Sequence, residues 1–117
     1  MSSRNYLIIG GGSGIGQAVL EELVKEGHQV WAGSRSAEST IALPGVNAFT
    51  YDVSSDEDLA DYLPDHLDGL VYCPGSINLK PFARIKPEDF HAEMNLNFMG
   101  AVKVIQAALP ALKKSEK

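Results

Sequence analysis

Five glycines stand within seven residues near the start of the chain, at positions 10, 11, 12, 14 and 16. They follow an apolar run at residues 6–9 and precede a segment in which apolar residues have helical spacing. Glycine lets a backbone turn sharply and approach a diphosphate closely. The free N–H groups and the positive dipole end of a helix beginning there would face that anion. The pattern predicts a nucleotide-binding turn whose binding residues are Gly10, Gly12, Ser13, Gly14, Ile15 and Gly16.

The spacing of these glycines distinguishes between kinds of phosphate-binding loop. The order is Gly10-x-x-x-Gly14-x-Gly16, whereas a Gly-x-Gly-x-x-Gly pattern started at Gly10 would meet Ile15 in place of its third glycine. A P-loop is excluded because no Gly-Lys-Ser/Thr follows. The observed spacing resembles the cofactor-binding signature of the short-chain dehydrogenase/reductase (SDR) family. That resemblance implies a nicotinamide cofactor that exchanges hydride with a carbonyl or alcohol; the alternative is a tight turn that binds no ligand.

Strand and helix patterns alternate along the whole chain. This alternation predicts an α/β, Rossmann-like fold with a parallel sheet of strand order 3-2-1-4 and helices on both faces, half of a doubly wound fold, in a single domain over residues 1–117. The predicted strands are 5–9, 29–33, 48–53 and 67–73, and the predicted helices are 14–26, a short one from Ser55 to about residue 63, and a long one from 87 to about 113. In the first helix we expect Ile15, Ala18, Val19 and Leu23 to share one apolar face, with Gly27 as the C-cap.

The end of the second strand bears on the choice of cofactor. In the SDR family an acidic residue there binds the adenosine ribose hydroxyls and selects NAD. Here Ser34 stands in that place and Arg35 follows. A carboxylate would repel a 2′-phosphate, whereas Ser34 can donate to it and Arg35 can pair with it. We therefore expect NADP(H) to be favoured over NAD(H); the alternative reading of Arg35 is a solvated surface side chain.

Three further segments match the family's pattern in part. Asp52-Val53 ends the third predicted strand, where the resemblance implies a contact to the adenine amino group; the alternative is a turn or capping aspartate. Cys73-Pro74-Gly75 follows the fourth strand, where the family has Asn-Asn-Ala-Gly beside the nicotinamide ribose. Gly75 matches, but Tyr72 and Cys73 replace the two asparagines, and we expect Cys73 to be a packing residue.

A last segment carries the one predicted catalytic residue. Asn97-x-x-Gly100 resembles the Asn-x-x-Gly in which the family's asparagine supports a proton-relay water, so Asn97 is the catalytic candidate. A helix-face amide is the alternative.

The family's remaining catalytic residues have no counterpart among these residues. The resemblance implies a serine and a Tyr-x-x-x-Lys, yet the four tyrosines are followed four positions later by Gly10, Ser55, His66 and Ser76. We therefore expect a chain truncated before that segment and not competent for turnover alone. The alternative function is a non-catalytic NADP-binding sensor or regulatory module.

Composition excludes several kinds of partner and site. The net charge of −5 argues against a nucleic-acid partner, and no apolar run approaches the length of a membrane span. With one cysteine and three scattered histidines we expect no disulfide and no metal site, and a cytoplasmic location. The last helix carries the apolar stripe Phe98, Ala101, Val102, Ile105, Leu109 and Leu112. We expect a homo-oligomer formed through that helix and the exposed fourth strand, and a small-molecule substrate in a longer chain.

Overall fold

One sheet of four parallel strands organises the computed structural model, which describes residues 3–74 and 80–115. The spatial order is β3-β2-β1-β4, as predicted. Leu7 at the centre of β1 lies opposite Trp31 of β2 and Leu70 of β4. The strands are β1 (Asn5–Ile9), β2 (Gln29–Ser34), β3 (Val46–Thr50) and β4 (Gly69–Tyr72).

Helices cover both faces of this sheet, which confirms the predicted layering. On one face Ile8 of β1 packs in a cluster with Leu20 of α1 (Gly14–Lys25). On the other face Leu7 and Ile9 pack with Val104 of α3 (Gly100–Leu112). Successive residues of β1 therefore enter two different cores, as expected of a central parallel strand. The helix α2 (Pro87–Met94) and a π turn (Asn95–Met99) precede α3.

The buried face of α1 agrees with the prediction in part, because Val19 and Leu23 pack against the core as expected. Gly16 and Leu20 are its buried residues, whereas Ile15 is 78% exposed and Ala18 is also exposed. The cause is the entry of the helix, because Gly16 lies directly against the backbone of Gly10 and so directs positions 16 and 20 toward the sheet.

The end of α1 agrees with the prediction. Gly27 adopts a positive φ of 89°, and the N–H of His28 donates to Leu23 O at 3.1 Å. This is the left-handed glycine termination that the sequence indicated.

The third strand ends earlier than predicted, and the segment after it is less helical. The strand ends at Thr50, and the chain then turns because Asp52 accepts hydrogen bonds from Ser54 and Ser55. The predicted helix from Ser55 is a 3₁₀ turn at Leu59–Tyr62, where the Asp58 side chain accepts a hydrogen bond from Ala60 N at 3.0 Å. A side-chain turn at Asp52 competes with helix formation, which explains the late start.

The helix predicted from 87 to about 113 is interrupted in its middle. The π turn divides the predicted helix, whereas Pro110 lies inside α3, which continues to Leu112. Pro110 is exposed, so the carbonyl that loses its partner there can be solvated. The strand β4 is half-buried along its four residues and pairs with β1 alone in the part of the chain that the structure describes.

Candidate functional site

The carboxyl ends of the four strands meet at one edge of the sheet, where the predicted cofactor residues lie. The loop after β1 starts at Gly10, whose N–H donates to Gly33 O of β2 at 2.8 Å. On the other side Cys73 N, just after β4, donates to Ile9 O at 2.8 Å. The topology therefore brings together four loops that are distant in sequence, at the edge where ligands of open α/β sheets bind.

Three glycines of the first loop meet three different steric requirements. Gly10 has a φ of +88°, and a side chain on it would approach the backbone nitrogen of Pro74 to 3.1 Å. A side chain on Gly16 would overlap the carbonyl of Gly10. Gly14 has a φ of +57°, and a Cβ there would meet nothing within 4 Å of the described residues. Gly10 and Gly16 hold the loop against the sheet, whereas Gly14 leaves open space in front of the helix.

The start of α1 is open to an anion. Ser13, the N-cap, makes no side-chain capping bond, and the first turn holds no acidic residue, in the described part of the chain. The first backbone bond of this helix runs from Gln17 N to Ser13 O at 3.2 Å. The N–H groups of the preceding residues therefore lack intrahelical acceptors and face outward with the positive end of the dipole. Ser13 and Ile15 are exposed there, as a ligand-binding role requires.

The hydroxyl of Ser34 already has a local partner. It donates to Ser36 O at 2.6 Å and lies 3.4 Å from the hydroxyl of Thr40. A phosphate oxygen would have to replace Ser36 O as its acceptor, a competition that the sequence does not reveal. The neighbouring Arg35 is exposed, and its positive charge contributes to lowering the pKa of Asp52. Arg35, after β2, and Asp52, after β3, are therefore close enough at this edge of the sheet for their charges to interact.

Asp52 is held as an ionised acceptor after β3. Its Oδ1 accepts hydrogen bonds from the Ser54 hydroxyl at 2.6 Å and from Ser54 N at 2.9 Å. These bonds are the main reason that the pKa of this carboxyl lies below its usual value, and the charges of Arg35 and Lys103 lower it further. The capping alternative considered from the sequence is therefore partly right, because one oxygen of Asp52 stabilises its own turn.

Lys103 is a site residue that sequence reasoning missed. From α3 its Nζ donates to Val53 O at 3.0 Å and to Ser55 O, so it fixes the backbone that follows Asp52. It lines a cleft of about 290 Å³ together with Val53 and Gln106. No local pattern signals this role, because the lysine and the two carbonyls are 50 and 48 residues apart.

The residues after β4 and in the π turn complete the edge. Burial raises the pKa of the Cys73 thiol, so the thiol stays protonated and behaves as a packing group. Pro74 lies against Gly10, whereas Gly75 lies outside the described residues. Asn97 is exposed on the π turn, and its Nδ2 donates to Glu93 at 2.8 Å. The Asn97 side chain is thus hydrogen-bonded within its own helical segment.

Two further observations concern the described residues as a group. Within residues 3–74 and 80–115, no helix is long and apolar enough to cross a membrane. The same residues contain no group of three or more histidine, cysteine or acidic side chains that could hold a metal ion.

Comparison with known proteins identifies the family. A profile described as short chain dehydrogenase matches residues 4–117. The chain belongs to this family. A 3-dehydrosphinganine reductase of Arabidopsis thaliana is 33% identical over 124 residues, which cover 97% of this chain and 38% of that protein. The 3-oxoacyl-(acyl-carrier-protein) reductase MabA of Mycobacterium tuberculosis is 26% identical over 117 residues, which cover 97% of this chain and 47% of that protein.

Solved structures of SDR proteins share the fold. The Pseudomonas aeruginosa RhlG/NADP active-site complex aligns with a TM-score of 0.82 at 28% identity, covering 100% of this chain and 49% of RhlG. A short chain dehydrogenase family protein from Francisella tularensis aligns with a TM-score of 0.85 at 22% identity, covering 95% of this chain and 47% of that one. The chain therefore spans about half of these proteins or less. The SDR family as a whole consists of NAD(P)-dependent oxidoreductases.

Proposed function

We propose that this chain is the NADP(H)-binding part of an SDR oxidoreductase that transfers hydride between the nicotinamide and a carbonyl or alcohol. The observation that carries the proposal is the end of β2, where Ser34 and Arg35 replace the acidic residue that would select NAD. When bound, the cofactor supplies or accepts the hydride. The Arabidopsis and Mycobacterium relatives are named as reductases, which supports a carbonyl as the substrate.

The residues present fit such a cofactor in three places. The open N-terminus of α1 and the space in front of Gly14 suit a diphosphate. Exposed Arg35 suits the 2′-phosphate, because a guanidinium pairs with phosphate through two parallel hydrogen bonds. Ionised Asp52 suits the adenine amino group as an acceptor. The RhlG complex supports the choice of NADP by analogy at 28% identity.

The chain by itself is proposed to bind cofactor without turnover. Its 117 residues contain no Tyr-x-x-x-Lys, so the group that exchanges the proton of the alcohol is absent from them. The same observation favours the second candidate, a non-catalytic NADP-binding sensor or regulatory module. Reduction of a ketone by the purified chain with NADPH would contradict both the proposed lack of turnover and the non-catalytic module. The cytoplasmic location stays a prediction.

Titration with NADPH and NADH, followed by nicotinamide fluorescence, tests the cofactor preference. We expect NADPH to bind more tightly, and Arg35→Ala to weaken NADPH binding about tenfold because a charge-assisted pair is lost. NADH binding should change by less than about twofold, because NADH has no 2′-phosphate. Arg4→Ala is the matched control, since Arg4 precedes β1 at the opposite end of the sheet. Equal affinities for the two cofactors in the unmodified chain would contradict the assignment.

A further inference from the structure

Tyr72 ends β4 at the position where the SDR family has the first asparagine of Asn-Asn-Ala-Gly. Its hydroxyl donates a hydrogen bond of 2.6 Å to Leu96 O in the π turn. The two residues are 24 positions apart, so this bond fixes the last helical segment to the end of the sheet. Burial raises the pKa of the Tyr72 hydroxyl, which therefore keeps the proton that it donates.

The carbonyl of Leu96 is the one that the helix distortion releases. In a regular α-helix it would accept from the N–H of Gly100, four residues later. Here the N–H of Gly100 donates instead to Asn95 O, five residues back. A carbonyl without its helical partner needs another donor when it is shielded from water. The Tyr72 hydroxyl meets this need and so stabilises the π turn over a straight helix.

Gly100 makes room for that hydroxyl. A Cβ on Gly100 would overlap the Tyr72 oxygen, and it would lie 3.3 Å from Cγ2 of Val53. Gly100 is buried, and moving the hydroxyl aside would break its bond to Leu96 O. The tyrosine and the glycine therefore fit each other, and the glycine of Asn97-x-x-Gly100 has a steric function in this chain.

We infer that Tyr72 is a positioning residue, which holds the π turn in place and thereby sets the position of Asn97. Asn97 directly follows the bonded carbonyl of Leu96. A change at Leu96 O therefore alters the backbone that carries the Asn97 side chain. That side chain is itself held from the preceding turn by its bond to Glu93. The inference rests on the proposed function only in giving Asn97 a catalytic task, since the bond from Tyr72 and its effect on the turn can be measured without turnover.

Nuclear magnetic resonance of the 117-residue chain tests this inference with the variant Tyr72→Phe. We expect the carbonyl resonance of Leu96 and the side-chain amide resonances of Asn97 to shift. The amides around Gly100 should exchange with solvent about tenfold faster, because one hydrogen bond that opposes opening is lost. Tyr62→Phe is the matched control, since it removes a hydroxyl that bonds Glu57 at 2.8 Å and not the π turn. Unchanged Leu96 and Asn97 resonances, or equal shifts in the control, would overturn the inference.

A coupling experiment keeps the test decisive if one variant folds poorly. Gly100→Ala should raise the unfolding equilibrium constant by a larger factor in the protein with Tyr72 than in the Tyr72→Phe background, where the overlapping oxygen is gone. Equal fold-changes in both backgrounds would contradict the fit between the two residues. NADPH titration of the same samples separates the proposals. If the unmodified chain does not bind NADPH, the cofactor assignment is contradicted. If the effects of Gly100→Ala and Tyr72→Phe on unfolding are additive, only the role of Tyr72 is contradicted.

Discussion

Gly12 and Gly16 belong to the same loop but differ in what a side chain would contact. A Cβ on Gly12 would lie 2.7 Å from the hydroxyl oxygen of Ser39, an exposed side chain that can rotate away by giving up its hydrogen bond to Ser36 O. A Cβ on Gly16 would overlap the backbone carbonyl of Gly10, which cannot move without shifting β1 or α1. Both glycines belong to one loop, yet of the two only Gly16 is required by contact with backbone atoms.

We therefore expect Gly16→Ala to lower the free energy of unfolding by about 2 kcal/mol. Overpacking costs about 3 kcal/mol, and the higher helix propensity of alanine returns about 1 kcal/mol. Gly12→Ala should cost about 0.5 kcal/mol, because Ser39 can rotate. Urea denaturation followed by circular dichroism measures both values. Equal losses in the two variants would show that the loop and helix do not meet as described.

The helix α3 supports the edge of the sheet where we propose that the cofactor binds, and it does so from the face opposite to α1. Lys103 carries this support, because its ammonium group bonds two carbonyls of the turn that follows Asp52. The same charge helps to keep Asp52 ionised. Lys103 on α3 therefore helps to fix the shape of the turn after β3 and adds to the interactions that keep Asp52 ionised.

Lys103→Met tests this connection, because methionine retains much of the apolar stem and removes the ammonium group. We expect NADPH affinity to fall about threefold to tenfold and the free energy of unfolding to fall by about 1 kcal/mol, since two hydrogen bonds are lost. Lys113→Met, at the exposed end of α3, is the matched control and should change neither value. Unaltered NADPH binding in Lys103→Met would mean that the turn keeps its shape without the lysine.

One face of the chain is apolar and uncovered. Ile105 is 47% exposed and Leu109 is 42% exposed, and they continue a line of exposed apolar residues that starts in α2. The half-buried strand β4 leaves an edge of the sheet without a partner among the described residues. Large exposed apolar patches and open sheet edges favour association. The exposed apolar residues of this helical segment are Phe90, Met94, Phe98, Met99, Ile105 and Leu109.

We propose that the chain self-associates through this face, and the double variant Ile105→Lys and Leu109→Lys tests the proposal. Two lysines would place like charges in the interface, so the dissociation constant should rise at least about tenfold. Sedimentation velocity over a range of concentrations measures it. Ala18→Lys, at an exposed position of α1, serves as the control for added charge. A chain that is monomeric at every concentration would refute the proposal.

Local patterns in the sequence were sufficient for the architecture. Alternating apolar runs and helical spacing predicted the strand order, the two helical layers and the glycine at the end of α1, because each depends on neighbouring residues and on general rules of chain connection. The glycine spacing in the first loop, together with the segments that follow the second, third and fourth strands, indicated the family, and the profile match over residues 4–117 confirms it. The types of the elements and their ends are decided within a few residues, whereas the strand order follows from general rules of chain connection.

Specific contacts decided the rest. Some are local but leave no periodic pattern in the sequence: Gly16 against Gly10 turned Ile15 away from the core, and the turn at Asp52 ended β3 early. The bonds of Lys103 and Tyr72 join residues that are 50 and 24 positions apart. No periodicity records such pairs, because each side chain acquires its partner only when the sheet and α3 have packed together. The finer geometry of the cofactor edge is therefore a property of the packed molecule.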